Sequence, residues 1–145
     1  GEERLFGYLT RFGIGGSTKL GLPGESSGIL RPLSRWAKVD LATHSFGQGV
    51  AVTPLQMVRA FSVFANGGLL PQLSVLVDGS PPPAKRVISE RAAKLTREML
   101  YGVVEDEHGT GKKAAISGIR VGGKTGTAQK ASTTGRGYKP GAYVA

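Results

Sequence analysis

Of its 145 residues the chain spends none on cysteine and only two on histidine. Without thiols there is no disulfide and no thiolate metal site, and two histidines leave a structural zinc short of ligands. The same lack is compatible with an oxidising or a reducing compartment. No apolar run approaches the roughly eighteen residues that cross a bilayer. The first residues also lack the pattern of a secretion signal, so the chain reads as soluble. Acid is missing locally: residues 110–145 carry seven Lys and Arg and no Asp or Glu, whereas residues 1–109 carry 12 basic against 10 acidic residues. The formal net charge of +9 is therefore concentrated at one end, where it should attract an anionic partner. Only Tyr138 and Tyr143 supply aromatics there, which argues against a nucleic-acid surface and leaves a carboxylate-bearing substrate or an anionic polymer.

Present are 39% hydrophobic and 20% charged residues, ordinary for one globular domain at most, and 23 glycines, which imply many turns and close backbone approaches. Leu5, Leu9 and Phe12 share one face ahead of Gly13, predicting a short helix over 2–12 stopped by that glycine. Glycines and prolines then mark a loop to Pro32, and Trp36 to Leu41 is left as irregular or short strand-like structure. Thr53-Pro54-Leu55-Gln56 is a capping box with proline at N1, opening a helix that ends at Asn66-Gly67-Gly68. Its Met57, Val58, Phe61, Phe64 and Ala65 are expected to face the core.

Leu73 to Val77 and Val87-Ile88 read as short strands on either side of Pro81-Pro82-Pro83. Ser89 caps a helix to about Glu105, with Ala92, Leu95, Met99 and Val103 along one side. Glu105-Asp106-Glu107-His108 has metal-ligating types but is better read as exposed surface at a helix end. Ile116–Gln129 is the candidate central strand, pairing as a hairpin with Tyr138–Ala145 across a polar loop. The chain stops within the apolar run Tyr143-Val144-Ala145, which reads as a cut end.

The chemistry concentrates in Gly122-Gly123-Lys124-Thr125-Gly126-Thr127-Ala128-Gln129, which puts an ammonium and two hydroxyls among three glycines. Glycines let a ligand chain lie against main-chain groups, and lysine adds a compact positive charge. If extended, the segment puts Lys124 and Gly126 on one face and Thr125 and Thr127 on the other. Residues 118–125 also fit the G-x-x-x-x-G-K-[ST] spacing of a phosphate loop. That motif must leave a buried strand and open a helix, which neither Lys112-Lys113-Ala114-Ala115 before it nor Thr127–Gly137 after it favours.

Lys124-Thr125-Gly126-Thr127 resembles the Lys-Thr-Gly element of class B penicillin-binding proteins, most like their division-specific branch. So do its flanks: Glu3-Arg4-Leu5, Leu22-Pro23-Gly24-Glu25, His44 to Gly49, Thr53 to Met57 and Ala65 to Gly68 follow in the family's order. The resemblance implies an α/β fold of the α+β type, with antiparallel strands and helices packed on the sheet. Residues 1–145 would be the C-terminal portion of a penicillin-binding, β-lactamase-like transpeptidase domain. It implies a serine D,D-transpeptidase that crosslinks peptidoglycan stem peptides, binds β-lactams, works with divisome proteins and needs neither cofactor nor metal. The parent would be anchored in the cytoplasmic membrane, with this domain on its outer side in the cell envelope.

Within that resemblance Lys124 assists proton transfer and substrate binding, Thr125 binds the substrate carboxylate and Gly126 leaves room for the peptide. The backbone N–H of Thr127 is one oxyanion-hole donor. The family's Ser-x-x-Lys and Ser-x-Asn motifs are not found: no serine has lysine three residues on, and Asn66, the one asparagine, has Phe64 where serine belongs. Both motifs are expected before residue 1, so this chain alone is expected to be inactive, or to serve as a non-catalytic binding or structural module. A Ser-His-Asp arrangement using His44 beside Ser45 is open on spacing but less favoured than a satisfied or surface histidine.

Overall fold

The computed structural model of the chain describes residues 1–75, 83–126, 128–135 and 137–144. Four helices and two small antiparallel sheets are formed among them: α1 (Glu2–Arg11), α2 (Asp40–Ser45), α3 (Pro54–Ala65) and α4 (Glu90–Glu105), with β1 (Leu69–Leu70) paired to β2 (Lys85–Arg86) and β3 (Ala128–Ala131) paired to β4 (Tyr138–Val144). Single 3-10 turns lie at Leu33–Arg35 and Lys112–Ala114. This is the α+β class with antiparallel strands that the sequence implied.

The helix ends fall where the sequence put them. Gly13 takes φ +86°, and the amides of Gly13 and Ile14 return to the carbonyls of Thr10 and Leu9, a Schellman stop for α1. The capping box of α3 closes in both directions, Thr53 N–H donating to Gln56 Oε1 (2.9 Å) and Gln56 N–H to Thr53 Oγ1 (3.2 Å). Gln56 also donates from Nε2 to the carbonyls of Gly16 and Ser27, each at 2.8 Å, so one buried amide joins the helix start to two loops. Ser89 caps α4 by accepting from Ala92 N–H.

The core is small. Val63 of α3, Leu70 of β1 and Val87 after β2 form its centre, with Phe12 and Ile88 packed against them. Register pairs Leu69 with Arg86 and Leu70 with Lys85. The first strand pair thus lies a few residues from its expected places: Leu73–Val75 is not strand, and residues 76–82, with Leu76, Val77, Pro81 and Pro82, lie outside the described residues. The region after Trp36 also differs from expectation, because α2 is a helix. Its Asp40 carboxylate accepts from Ala37 N–H and from Arg31 Nη2, both at 2.6 Å, fixing the entry turn through a residue nine positions upstream. These contacts, the Ala37 bond foremost, hold Asp40 below the usual carboxylate range.

Which faces are buried also departs from expectation. In α3 the core face is Gln56, Ala60 and Val63, while Met57, Val58 and Phe61 keep substantial exposure. In α4 it is Ala93 and Val104, leaving Leu95 half exposed and Met99 70% exposed. Apolar positions outnumber what this core covers. The hairpin β3–β4 stands apart as well: among the described residues neither strand contacts another helix or strand, so the helices pack on one another and on β1 rather than on this sheet.

Candidate functional site

The glycine-rich segment is delivered by a turn and a helix. Ile119 N–H donates to Ile116 carbonyl across the Gly118 turn, which replaces the central strand expected over 116–129. From there Arg120 fastens the chain to α4: its guanidinium lies 3.9 Å over the Tyr101 ring and forks onto Glu105, with both Nε and Nη2 donating at 2.9 Å. The Arg120 side-chain bonds hold Glu105 below its usual range and Glu105 in turn raises Arg120. Glu105 is thus committed to an ion pair, and no three potential metal ligands converge among the described residues.

Gly123 N–H next donates to Leu100 carbonyl at 3.0 Å, and a Cβ on Gly122 would sit 3.1 Å from Tyr101 Cδ1 and 3.3 Å from Leu100 Cβ. Gly122 lets the chain lie on α4. Gly122 is the tight one of the two, since a Cβ on Gly123 would meet only Val104 Cγ2, at 4.0 Å. Gly126 is the opposite case, since a Cβ there would meet nothing within 4 Å.

Lys124, Thr125 and Gly126 are exposed and belong to neither helix nor paired strand. The candidate strand over 116–129 was expected to include these residues; the ladder begins only at Ala128. Thr127 lies outside the described residues. Lys124 Nζ donates to Thr125 carbonyl at 2.6 Å, and Thr125 Oγ1 is 3.3 Å from Thr110 Oγ1. Lys124 and Thr125 share a cavity of about 560 Å³ with Thr110, Lys112 and Lys113. Three lysines and two threonines around one opening give it a positive charge that suits a carboxylate or another anion.

Just downstream, β3 is gripped from the far side of the chain. Gln129 N–H donates to Gln48 Oε1 at 3.1 Å, and Gln48 Nε2 stands 3.5 Å from Gln129 carbonyl. Gln48 is buried, and it sits between Gly47 (φ +90°) and Gly49 (φ +84°), a turn that β-carbon-bearing residues rarely adopt. Neither Gln48 nor Arg120 was singled out from the sequence for a role at this segment. The one available signal was the Gly-Gln-Gly turn in a block that already matched the family.

The phosphate-loop reading fails on its context, since a tight turn precedes Gly122 and strand β3 follows. The triad reading fails as well. His44 is buried and stacked on Trp36 with ring centroids 4.5 Å apart; its Nδ1 lies 2.7 Å from Asp40 carbonyl oxygen, the partner of a donated N–H, and Nε2 is buried without a partner among the described residues. Ser45 donates its hydroxyl to Ala42 carbonyl instead of to the imidazole.

The sequence profile described as the penicillin binding protein transpeptidase domain matches residues 1–145. Stage V sporulation protein D of Bacillus subtilis is 46% identical over 142 residues, covering 90% of this chain and 22% of that protein. The peptidoglycan D,D-transpeptidase FtsI of Escherichia coli K12 is 41% identical over 135 residues, covering 93% of the chain and 23% of that protein. Among solved structures, penicillin binding protein 3 from Mycobacterium tuberculosis complexed with ampicillin superposes with a TM-score of 0.90 at 33% identity, covering 99% of this chain and 35% of that one. The apo transpeptidase domain of Burkholderia pseudomallei penicillin-binding protein 3 gives a TM-score of 0.85 at 39% identity over 98% of this chain and 43% of that one. The chain thus spans less than a quarter of the length of these two curated relatives.

Proposed function

The chain belongs to the penicillin-binding protein transpeptidase family, and from that premise we propose that it is the C-terminal portion of the transpeptidase domain of a serine D,D-transpeptidase. The parent crosslinks peptidoglycan stem peptides and is acylated by β-lactams. Support comes first from the relatives, one printed as a peptidoglycan D,D-transpeptidase and one solved with ampicillin. The apolar side chains left exposed on α3 and α4, Val58 and Met99 above all, support a larger domain in which they are covered.

The observation that carries the site is the state of Lys124–Gly126: exposed, outside any ladder and open above Gly126, beside a cavity lined by three lysines. In the proposed reaction a serine upstream of residue 1 attacks the carbonyl of a terminal D-Ala–D-Ala bond. The C–N bond breaks, the terminal D-alanine leaves with the proton, and an ester to the serine remains. The amine of a second stem peptide then attacks that ester, giving up its proton as the serine oxygen recovers one.

Lys124 would bring an ammonium to the serine cluster and the substrate carboxylate. Thr125 would bind that carboxylate through its hydroxyl. Gly126 leaves space for the peptide backbone, and the N–H of Thr127 would donate to the developing oxyanion. We place the parent in the division-specific branch, on the outer side of the cytoplasmic membrane to which it is anchored, with divisome proteins as partners. The similarity to FtsI supports the branch. Fluorescent-penicillin labelling of the full-length protein tests the reading: the parent should be labelled, Lys124→Ala should cut labelling at least about 100-fold, and an unlabelled parent would overturn it.

A further inference from the structure

Gln48 reaches β3 at one residue and from both sides of that residue's peptide groups. Its acceptor takes Gln129 N–H, and its donor faces Gln129 carbonyl. A neighbouring strand would use the same two groups of Gln129. The other edge of β3 is already occupied by β4, where Gln129 stands opposite Tyr143. Gln48 therefore occupies the free edge of β3 at position 129.

Two consequences follow. The hairpin touches no other helix or strand among the described residues, and this amide, 81 residues away in sequence, bonds it to the Gly47–Gly49 turn behind α2. Moreover, alternate residues of an extended strand present their main-chain groups to the same edge. Upstream of Gln129 that edge has no neighbouring strand among the described residues. Gly47 and Gly49 set the turn that carries Gln48, and Gly49 lies against the His44 ring. His44 is itself clamped by Trp36 and Asp40.

Resting on the transpeptidase reading, we infer that Gln48 is a positioning residue: its amide closes the free edge of β3 at Gln129, fixing the register in which an acyl chain can lie against the residues before it. Gln48 does not meet the substrate. It acts by holding β3 so that the peptide cannot slide toward the hairpin loop.

The test uses the full-length protein and separates the first-order acylation constant at saturating fluorescent penicillin from the affinity before acylation. Gln48→Met keeps the length and burial of the side chain but neither hydrogen bond; Gln48→Glu keeps an acceptor for Gln129 N–H. For Gln48→Met the first-order constant should fall about tenfold, since small displacements of positioned groups cost rate steeply. Pre-acylation affinity should move less than threefold, and the Gln129 amide should exchange its hydrogen faster. Gln48→Glu should recover part of the rate and the protection. A first-order constant within twofold of the parent's in Gln48→Met, or an equal loss in Gln48→Glu and Gln48→Met, would overturn the inference. Failure of the parent to acylate would instead overturn the transpeptidase reading, so the two failures are distinct.

Discussion

Residues 1–109 and residues 110–144 solve opposite problems. The first region closes its own polar groups: the Gln56 side-chain amide makes three hydrogen bonds to backbone, Asp40 is held by Arg31 and Ala37, and the stops of α1 and α3 return their amides to helix carbonyls. The second leaves its groups outward. Among the described residues Lys124 bonds to Thr125 carbonyl and Thr125 to Thr110, Gly126 faces open space, and the hairpin is bonded to Gln48. Charge follows the same division, near balance in one and without acid in the other. One region carries the fold, and in the proposed reading the other displays the substrate-binding groups.

Lys124→Ala gives the strongest test of this division. In the full-length protein it should lower β-lactam acylation about 10²–10⁴-fold, the range of a lost proton-transfer group, while leaving the thermal midpoint nearly unchanged. A cooperative loss of stability instead would make Lys124 part of the scaffold and erase the contrast. Gln56→Ala should do the reverse, costing about 3 kcal/mol in denaturant unfolding through the lost cap and three orphaned backbone groups. If it lowered acylation without lowering stability, the first region would be doing chemistry.

Gly28→Ala sharpens the comparison within the scaffold. Gly28 has φ +65°, and a Cβ there would collide with Ala51 carbonyl oxygen beside the Ile29–Ala51 bridge. A loss of about 2 kcal/mol is expected. Gly126→Ala, which meets no neighbour, should leave stability within about 0.5 kcal/mol and show its effect in acylation.

The smallest effect is titrational. Glu105 is held below its ordinary value by Arg120, so the pair contributes at neutral pH, where both forms of the chain have the carboxylate ionised. That contribution shrinks as pH falls below about 4 and is gone once pH is below the depressed value. Arg120→Ala should therefore narrow the gap in stability between pH 7 and pH 3, measured by thermal midpoints, since the ion pair is exposed and solvent-screened.

The sequence was most legible where structure is local. Thr53 to Gln56, Ser89 and Gly13 announce helix ends because caps involve residues three or four apart. The buried faces of α3 and α4 were misread because both helices carry more apolar positions than one small core can cover, and only neighbours decide between them. Helix α2 escaped notice because Arg31 steadies its start from a distance. The candidate site residues Lys124, Thr125 and Gly126 were picked out by residue type and order. Gln48 was not, since nothing local links it to Gln129.

Mass spectrometry of the acylated full-length protein, mapping which serine carries the penicilloyl group, tests the central claim most directly. The account predicts one modified serine, upstream of residue 1, whose modification is lost in Lys124→Ala. An adduct on any serine within residues 1–145, or undiminished modification in Lys124→Ala, would contradict it.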